Sequence, residues 1–582
     1  MQNLYADLET LLKEDASLVD EHGKLNKNVL ITRAANLDEG LLARLISSDT
    51  IRAQFFTQVG DTLVFDKAKF QEFIANKAFL PDSYTAFRNK IGLTDRSGRF
   101  LSASEDVVLA WPYKDCVLEG GMTKEDVKRD EVFWNTTLAP DDIARVFEPK
   151  ALTRFEHWDR NAVAQKKAKR ADVIDPASDN LFIKGNNLLA LHSLAEVYAG
   201  KVTVIYIDPP FNTGNDSFLY NDRFSRATWL TFMRNRLEVM KTLLTRDGSI
   251  FIHIDVNQSH YLKALCDEIF GQTNFVQEII WAYGSPSGGR AGSAKPVNVH
   301  DYILHYARDY KARKQNRIYT PYSDQYIANW FRYEDEDGRR YRSRMRDDGT
   351  WGRQYLDESP GVPLTTVWSD IKQVYADPRA YRDDQAEHSE LVKGFLGQKP
   401  ERLIKRILDM ASDEGDLVAD FFSGTGTTAS AAMKMKRRFI TTEQIEGQIQ
   451  LTRRRLFKTI RGAGAGISRD VEWTGGGSFV YLELAEANET FATRIRNADE
   501  DGTLAAVAAD LREKGWWRYK VDQSLWNWDE WAALTFDERK QLLLDSLDAN
   551  HLYVNYGDID DADSGLSAED IALTKAFYEA EA

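Results

Sequence analysis

Asp208-Pro209-Pro210-Phe211 follows an apolar run from Val202 to Ile207 and leads into Asn212-Thr213-Gly214. A strand that ends on a carboxylate presents a hydrogen-bond acceptor at the edge of a sheet. The two prolines fix φ at successive positions and donate no N–H, so their carbonyls are expected to stay open as acceptors. Phe211 adds a flat apolar face beside them. An acid, a rigid carbonyl and an aromatic plate together suit a base turned out of a nucleic-acid stack: the first two bond its exocyclic amine and the third holds its ring. The bland alternative is a Pro-terminated strand with a surface Asp, and only a second motif separates the two.

That second motif lies further along the chain. Leu417-Val418-Ala419-Asp420 reads as an apolar strand, Phe421-Phe422-Ser423-Gly424-Thr425-Gly426 as a glycine turn, and Thr427-Thr428-Ala429 as the start of an Ala-rich helix. Glycines allow close backbone approach to a ligand, and a helix start offers unpaired N–H groups. The Lys of a phosphate loop is missing. A dinucleotide fingerprint fits if Ala429 takes its third glycine position, which that pattern tolerates. Downstream, Arg437 to Glu443 reads as a strand ending in an acid where ribose hydroxyls can be held. Upstream, Gln398-Lys399-Pro400-Glu401 opens an amphipathic helix with Leu403, Ile404, Ile407, Leu408 and Met410 on its apolar side.

Together these strings resemble the amino-methylating DNA methyltransferases, and Asp in the first motif position resembles their adenine-N6 version. In most Rossmann-like methyltransferases the cofactor strand comes first, whereas here the Asp208 motif precedes the Asp420 motif. This order resembles the beta group of the family. The resemblance implies an α/β fold with a Rossmann-like S-adenosylmethionine-dependent core in permuted order, carrying N-terminal, target-recognition and C-terminal α+β additions. It implies Asp208, Pro209, Pro210 and Phe211 as the catalytic set. It implies Lys399, Asp420, Phe421, Phe422, Ser423, Gly424, Gly426 and Glu443 as cofactor-binding, with Glu443 on the ribose and Lys399 near the amino-acid end. Leu181 to Leu188 resembles the strand, Gly-Asp-Asn turn and helix of relatives, but Asn186 replaces the acid expected near the cofactor adenine, and a plain strand-to-helix turn is an equal alternative.

The likeness extends further. Phe133 to Asp141, the Asn212-Thr213-Gly214 extension and the closing Leu573-Thr574-Lys575-Ala576-Phe577-Tyr578 resemble modification subunits of type III restriction-modification systems. That family implies base flipping of an adenine in a short, asymmetric sequence of double-stranded DNA, a homodimer, and a restriction subunit with helicase and nuclease activity. The alternatives are a solitary adenine methyltransferase, or a DNA-binding specificity subunit with a vestigial catalytic site.

Composition sets the frame. A chain of 582 residues suggests several units. The two cysteines, Cys116 and Cys266, allow one bridge at most, no Cys/His cluster has zinc-ligand spacing, and no metal is expected. No secretory start or membrane-length apolar run is present, so a cytoplasmic location away from membranes is expected. The net charge of −15 is uneven. Ten acids and one base lie beyond residue 544, whereas residues 311–353 hold eleven bases against seven acids, interleaved with aromatics. Arginine forks and aromatic plates are what phosphate contact and base reading use. The expected parts are residues 1–170 as an accessory domain and basic linker, 171–310 as the catalytic half and 311–395 as a target-recognition insertion. Residues 396–475 form the cofactor half and 476–582 a C-terminal assembly domain. Residues 284–296, rich in Gly, Ser and Pro, read as a loop that could face DNA or simply connect.

Overall fold

The computed structural model describes residues 2–19, 25–60, 62–75, 109, 111–119, 132–135, 140–213, 224–284, 296–374, 389–392, 397–515, 517, 527–547, 552–561 and 564–580. The chain forms two compact units, Met1–Asp106 and Val107–Ala582. In the first, helices Gln2–Lys13, Lys27–Ala35, Glu39–Ile46, Asp49–Phe55 and Lys67–Ala75 accompany an antiparallel pair, Phe56–Val59 with Thr62–Phe65. Their apolar sides meet in a core that includes Leu8, Leu12, Leu41, Leu45, Phe55 and Phe70.

The second unit is built on an eleven-stranded sheet. Its strands are β1 (Leu152–Trp158), β2 (Lys169–Arg170), β3 (Leu181–Lys184), β4 (Val202–Ile207), β5 (Leu244–Ile254), β6 (Phe275–Ala282), β7 (His300–Ala307), β8 (Val367–Trp368), β9 (Leu417–Asp420), β10 (Arg438–Glu443) and β11 (Phe479–Leu484). They lie in the order β8-β6-β7-β5-β4-β9-β10-β3-β11-β1-β2. The run from β5 through β11 is parallel, while β7 and β1 flank it antiparallel. Every residue of β4 is buried, as a parallel strand covered on both faces requires, which is why its sequence is a continuous apolar run rather than an alternating one.

Helices cover both faces. On one side lie α1 (Asn187–Tyr198), α2 (Arg226–Leu243) and α3 (Ser259–Phe270); on the other, α4 (Glu401–Ala411), α5 (Thr427–Lys434) and α6 (Glu446–Arg461). This is the expected Rossmann-like α/β class. Strands β4 and β9, far apart in sequence, pair directly through Val204 with Val418 and Ile205 with Ala419. The ligand crevice of such a sheet lies beyond the carboxyl ends of its strands, where the order reverses. Here that point falls between Asp208 and Asp420.

The sheet takes strands from both ends of the chain. β1 and β2 come from the span read as accessory, and β11 from the span read as an assembly domain. Helix α7 (Ala568–Glu579) packs against β1, and its Thr574 hydroxyl exchanges hydrogen bonds with the backbone of Leu152. Within residues 311–395, strands Tyr333–Glu334, Arg340–Met345 and Trp351–Tyr355 make a separate antiparallel sheet. Residues 136–139, 285–295 and Gly214, named in the sequence readings, lie outside the described residues. Among the described residues no helix is long and apolar enough to cross a membrane.

Candidate active site

Four parallel strands bring the site together. β4 ends before Asp208, β9 on Asp420, β10 on Glu443, and β3 just before Gly185 and Asn186. Because these strands run the same way, the sequence-predicted residues share one edge of the sheet.

At Asp208 both carboxylate oxygens accept from the Lys399 ammonium, at 2.8 and 2.7 Å. Lys399, read from the sequence as lying near the amino-acid end of the cofactor, thus lies against the catalytic motif, and its backbone carbonyl accepts from Thr427 just after the glycine turn. Its ammonium also stands 4.9 Å from the centre of the Phe211 ring. The expectation of two open proline carbonyls is corrected. The Pro210 carbonyl accepts the Trp229 indole N–H at 2.8 Å. Among the described residues no donor reaches the carbonyl of Pro209. Asn212 follows in the left-handed region at φ 56°, which Asn tolerates better than most residues, and it turns the chain sharply after Phe211.

Phe211 is half-buried and lies nearly parallel to the His253 imidazole, 15° between planes and 5.8 Å between centres. His253 is wholly buried, and both ring nitrogens are engaged: Nδ1 with the Tyr206 hydroxyl at 3.0 Å and Nε2 with Asp301 at 3.1 Å. Burial, then the nearby Lys399 charge, pushes the imidazole below its usual range, so it is neutral behind the Phe211 plate. Burial works to raise the Asp301 carboxyl, but the hydrogen bond from His253 and the charge of Lys399 hold it below the ordinary range. Beside this chain opens a cavity of about 540 Å³ whose walls include Phe211, Asp255, Trp281, Tyr283, Asp301 and Lys399. That is a normal size for a small-ligand pocket.

Next to it lies the glycine turn. Asp420 is buried and accepts from the Phe422 N–H at 3.0 Å and the Thr428 hydroxyl at 2.6 Å. Burial pushes its carboxyl up to about 7; Asp208 and Glu443 add to the rise, while the Thr428 and Phe422 bonds oppose it. Glu443 accepts the Gly424 N–H at 3.0 Å on one oxygen and the Gln444 and Ile445 N–H groups on the other. Gly426 sits at φ 72°, where a Cβ would lie 2.9 Å from the Thr452 side chain. Phe421, Phe422 and Ser423 are buried. Asn186 caps α1, accepting from the Leu188 N–H at 3.0 Å, as a strand-to-helix turn requires.

Two residues that sequence reasoning missed tie the halves together. The Asn187 amide donates to the Phe421 carbonyl at 2.9 Å and accepts from Arg236 at 2.7 Å. Arg236 is fully buried, its guanidinium 3.6 Å from the Phe232 ring centre, and burial pushes it down to about 9. The residues present fit an S-adenosyl cofactor. Burial, with the charges of Asp208 and Glu443 adding to it, raises Asp420, so the carboxylates of Asp208 and Glu443 stand near one crevice, a setting that favours a sulfonium cation, and at Gly426 a Cβ would meet Thr452, so that position of the turn is closed to side chains.

Known proteins of similar sequence give the family. Residues 202–454 match the DNA methylase family, and residues 38–93 the type III restriction/modification enzyme methylation subunit family. A relative from Haemophilus influenzae, "Probable type III restriction-modification enzyme HindVI Mod subunit", is 32% identical over 97% of this chain and 96% of its own length. The type III restriction-modification enzyme EcoP15I Mod subunit of Escherichia coli is 26% identical over 49% of this chain and 60% of its own. Among solved structures, the M1.HpyAVI-SAM complex overlaps 47% of this chain and 99% of that one, at 18% identity and a TM-score of 0.28. The protein is an adenine-specific DNA methyltransferase of a restriction-modification system and uses S-adenosylmethionine. By sequence it belongs to the modification subunits of type III restriction-modification enzymes.

Proposed function

We propose that Asp208 and the Pro209 carbonyl receive the two hydrogens of the adenine N6 amine, while Phe211 stacks on the ring of the extruded base. The observation that carries this reading is the cavity walled by Phe211 and by Lys399, whose ammonium bonds Asp208, and backed by the buried Tyr206-His253-Asp301 chain. Adenine N6 is a poor nucleophile because its lone pair is delocalised into the ring. Hydrogen bonds to two acceptors favour a more tetrahedral nitrogen and localise that pair. N6 would bond the methyl carbon as the carbon–sulfur bond breaks and S-adenosylhomocysteine leaves as a neutral thioether, and the surplus proton of N6 would pass to Asp208. S-adenosylmethionine, when bound, supplies the electrophilic methyl group. Phe422, Gly424 and Gly426 would hold it along the turn, Glu443 at the ribose through the oxygen that faces Gly424, and Asn186 at the adenine edge. Stacking on Phe211 and contacts to the DNA offset the few kcal/mol needed to unstack the base.

In the same reading, residues 311–395 read a short, asymmetric duplex sequence. The chain works in the cytoplasm as a homodimer, and residues 476–582 carry the subunit contacts, including docking of the restriction subunit. Single-molecule sequencing of DNA from cells expressing this chain, beside the Asp208→Ala variant, tests it. One N6-methyladenine motif, methylated on one strand and lost in the variant, is the expected result. Full methylation by Asp208→Ala would sink the assignment.

A further inference from the structure

Lys399 does in this structure what the proposed reading gives to the adenine amine. Its ammonium donates to both oxygens of Asp208 and stands over the face of Phe211. One cation thus holds the acceptor and covers the plate that the base needs.

The surroundings distinguish this ion pair from a purely structural one. In the buried pair of Lys434 with Glu401, the ammonium also donates to the Ala465 carbonyl at 2.8 Å, and the carboxylate also accepts from the Ser430 hydroxyl and the Ile467 N–H. Asp208 has no second donor among the described residues, and the further bond of Lys399, to the Gly397 carbonyl, is long at 3.3 Å. Residue 399 also straddles the two halves of the site. Its backbone carbonyl accepts from Thr427 at the start of α5, immediately after the glycine turn, while its side chain reaches across to Asp208 at the end of β4.

A neutral adenine amine cannot displace this ammonium without leaving a buried cation unpaired, which is strongly unfavourable. A second carboxylate in the same crevice can, because the ammonium then exchanges one charge-assisted partner for another. The amino-acid end of S-adenosylmethionine carries such a carboxylate. Resting on the function proposed above, we propose that Lys399 is a positioning residue that keeps Asp208 and Phe211 closed to the target base until the cofactor carboxylate draws its ammonium away. Cofactor and base then favour the same released state, and each tightens the other reciprocally.

The test uses the full-length protein and a duplex carrying the methylation site mapped by sequencing, with 2-aminopurine beside the target adenine to report loss of stacking. S-adenosylhomocysteine is compared with 5′-methylthioadenosine, which keeps the adenosyl group and sulfur but lacks the carboxylate. S-adenosylhomocysteine should tighten the unstacked complex about tenfold, and methylthioadenosine should not. Lys399→Met should unstack the base without any ligand and lose its preference for S-adenosylhomocysteine in calorimetry, whereas Lys399→Arg should restore both behaviours. Equal unstacking by wild type with and without ligand, or with either ligand, overturns the proposal, and that comparison needs no variant. Persistence of ligand dependence in Lys399→Met overturns it as well. Absence of any mapped site would instead overturn the proposed function on which it rests.

Discussion

Phe211 has one ring face packed nearly parallel to a neutral imidazole, so its value to the base lies in shape and stacking rather than charge. Phe211→Tyr keeps the plate and should methylate within a few-fold of wild type. Phe211→Ala removes a stacking contact of about 1–3 kcal/mol and should raise KM for DNA by about ten- to a hundredfold, measured in steady-state methylation. Asp420 makes a prediction about stability. Unfolded, its carboxyl ionises near 3.8, but in the fold it keeps its proton to about 7. Between those values unfolding releases a proton, so its contribution is fully present below the unfolded value and is lost as pH rises through the folded one. Asp420→Asn removes this term, and its melting temperature should gain on wild type from about pH 4 to pH 7 and then run parallel, a swing on the order of a few kcal/mol. Asp208, Asp420 and Glu443 were legible in the sequence because each closes a contiguous strand. Asp301, Trp229, Asn187 and Arg236 were not, because their partners lie on elements that meet only in the folded sheet.

Helix α4 carries Lys399 at its threshold, and its placement depends on the Glu401 and Lys434 pair. Both residues are about 2% exposed and their charged atoms are 2.7 Å apart. Lys434→Met leaves a buried carboxylate without its cation and should cost about 3–5 kcal/mol in chemical denaturation. Adding Glu401→Gln to that variant should recover part of the loss, because the carboxylate charge is gone while the amide oxygen can still accept the Ile467 N–H and the amide NH2 can donate to the Ser430 hydroxyl. The amphipathic run after Pro400 announced this helix, and the apolar runs announced β4 and β9. The motif order gave the permuted sequence of the two halves, whereas the direct pairing of β4 with β9 is seen only in the folded sheet. The boundary between α2 and β5 is set in the fold: α2 ends at Leu243 and Leu244 already pairs with Val202, so the strand starts where a sheet neighbour is waiting.

At the scale of the whole molecule, a chain of net charge −15 has to hold a polyanion. The sheet of residues 333–355 offers cations in two different states. Arg339 is committed, bonded to Asp357 at 2.8 Å and to Glu358 at 2.6 Å. Arg344 and Arg346 are exposed and, among the described residues, have no carboxylate within ion-pair reach; they lie beside the exposed Met345 and Trp351, which face each other across the strands. An arginine already paired with two carboxylates gains little from a phosphate, since it must first leave its partners. An unpaired one releases a condensed counterion for each phosphate it neutralises. Binding of the mapped duplex, titrated across salt by fluorescence anisotropy, should therefore lose about one unit of log–log slope in Arg344→Ala and again in Arg346→Ala. Arg339→Ala should leave the slope near the wild-type value. Equal slopes in all three variants would move the phosphate contacts off this sheet, and with them the assignment of residues 311–395 to target recognition.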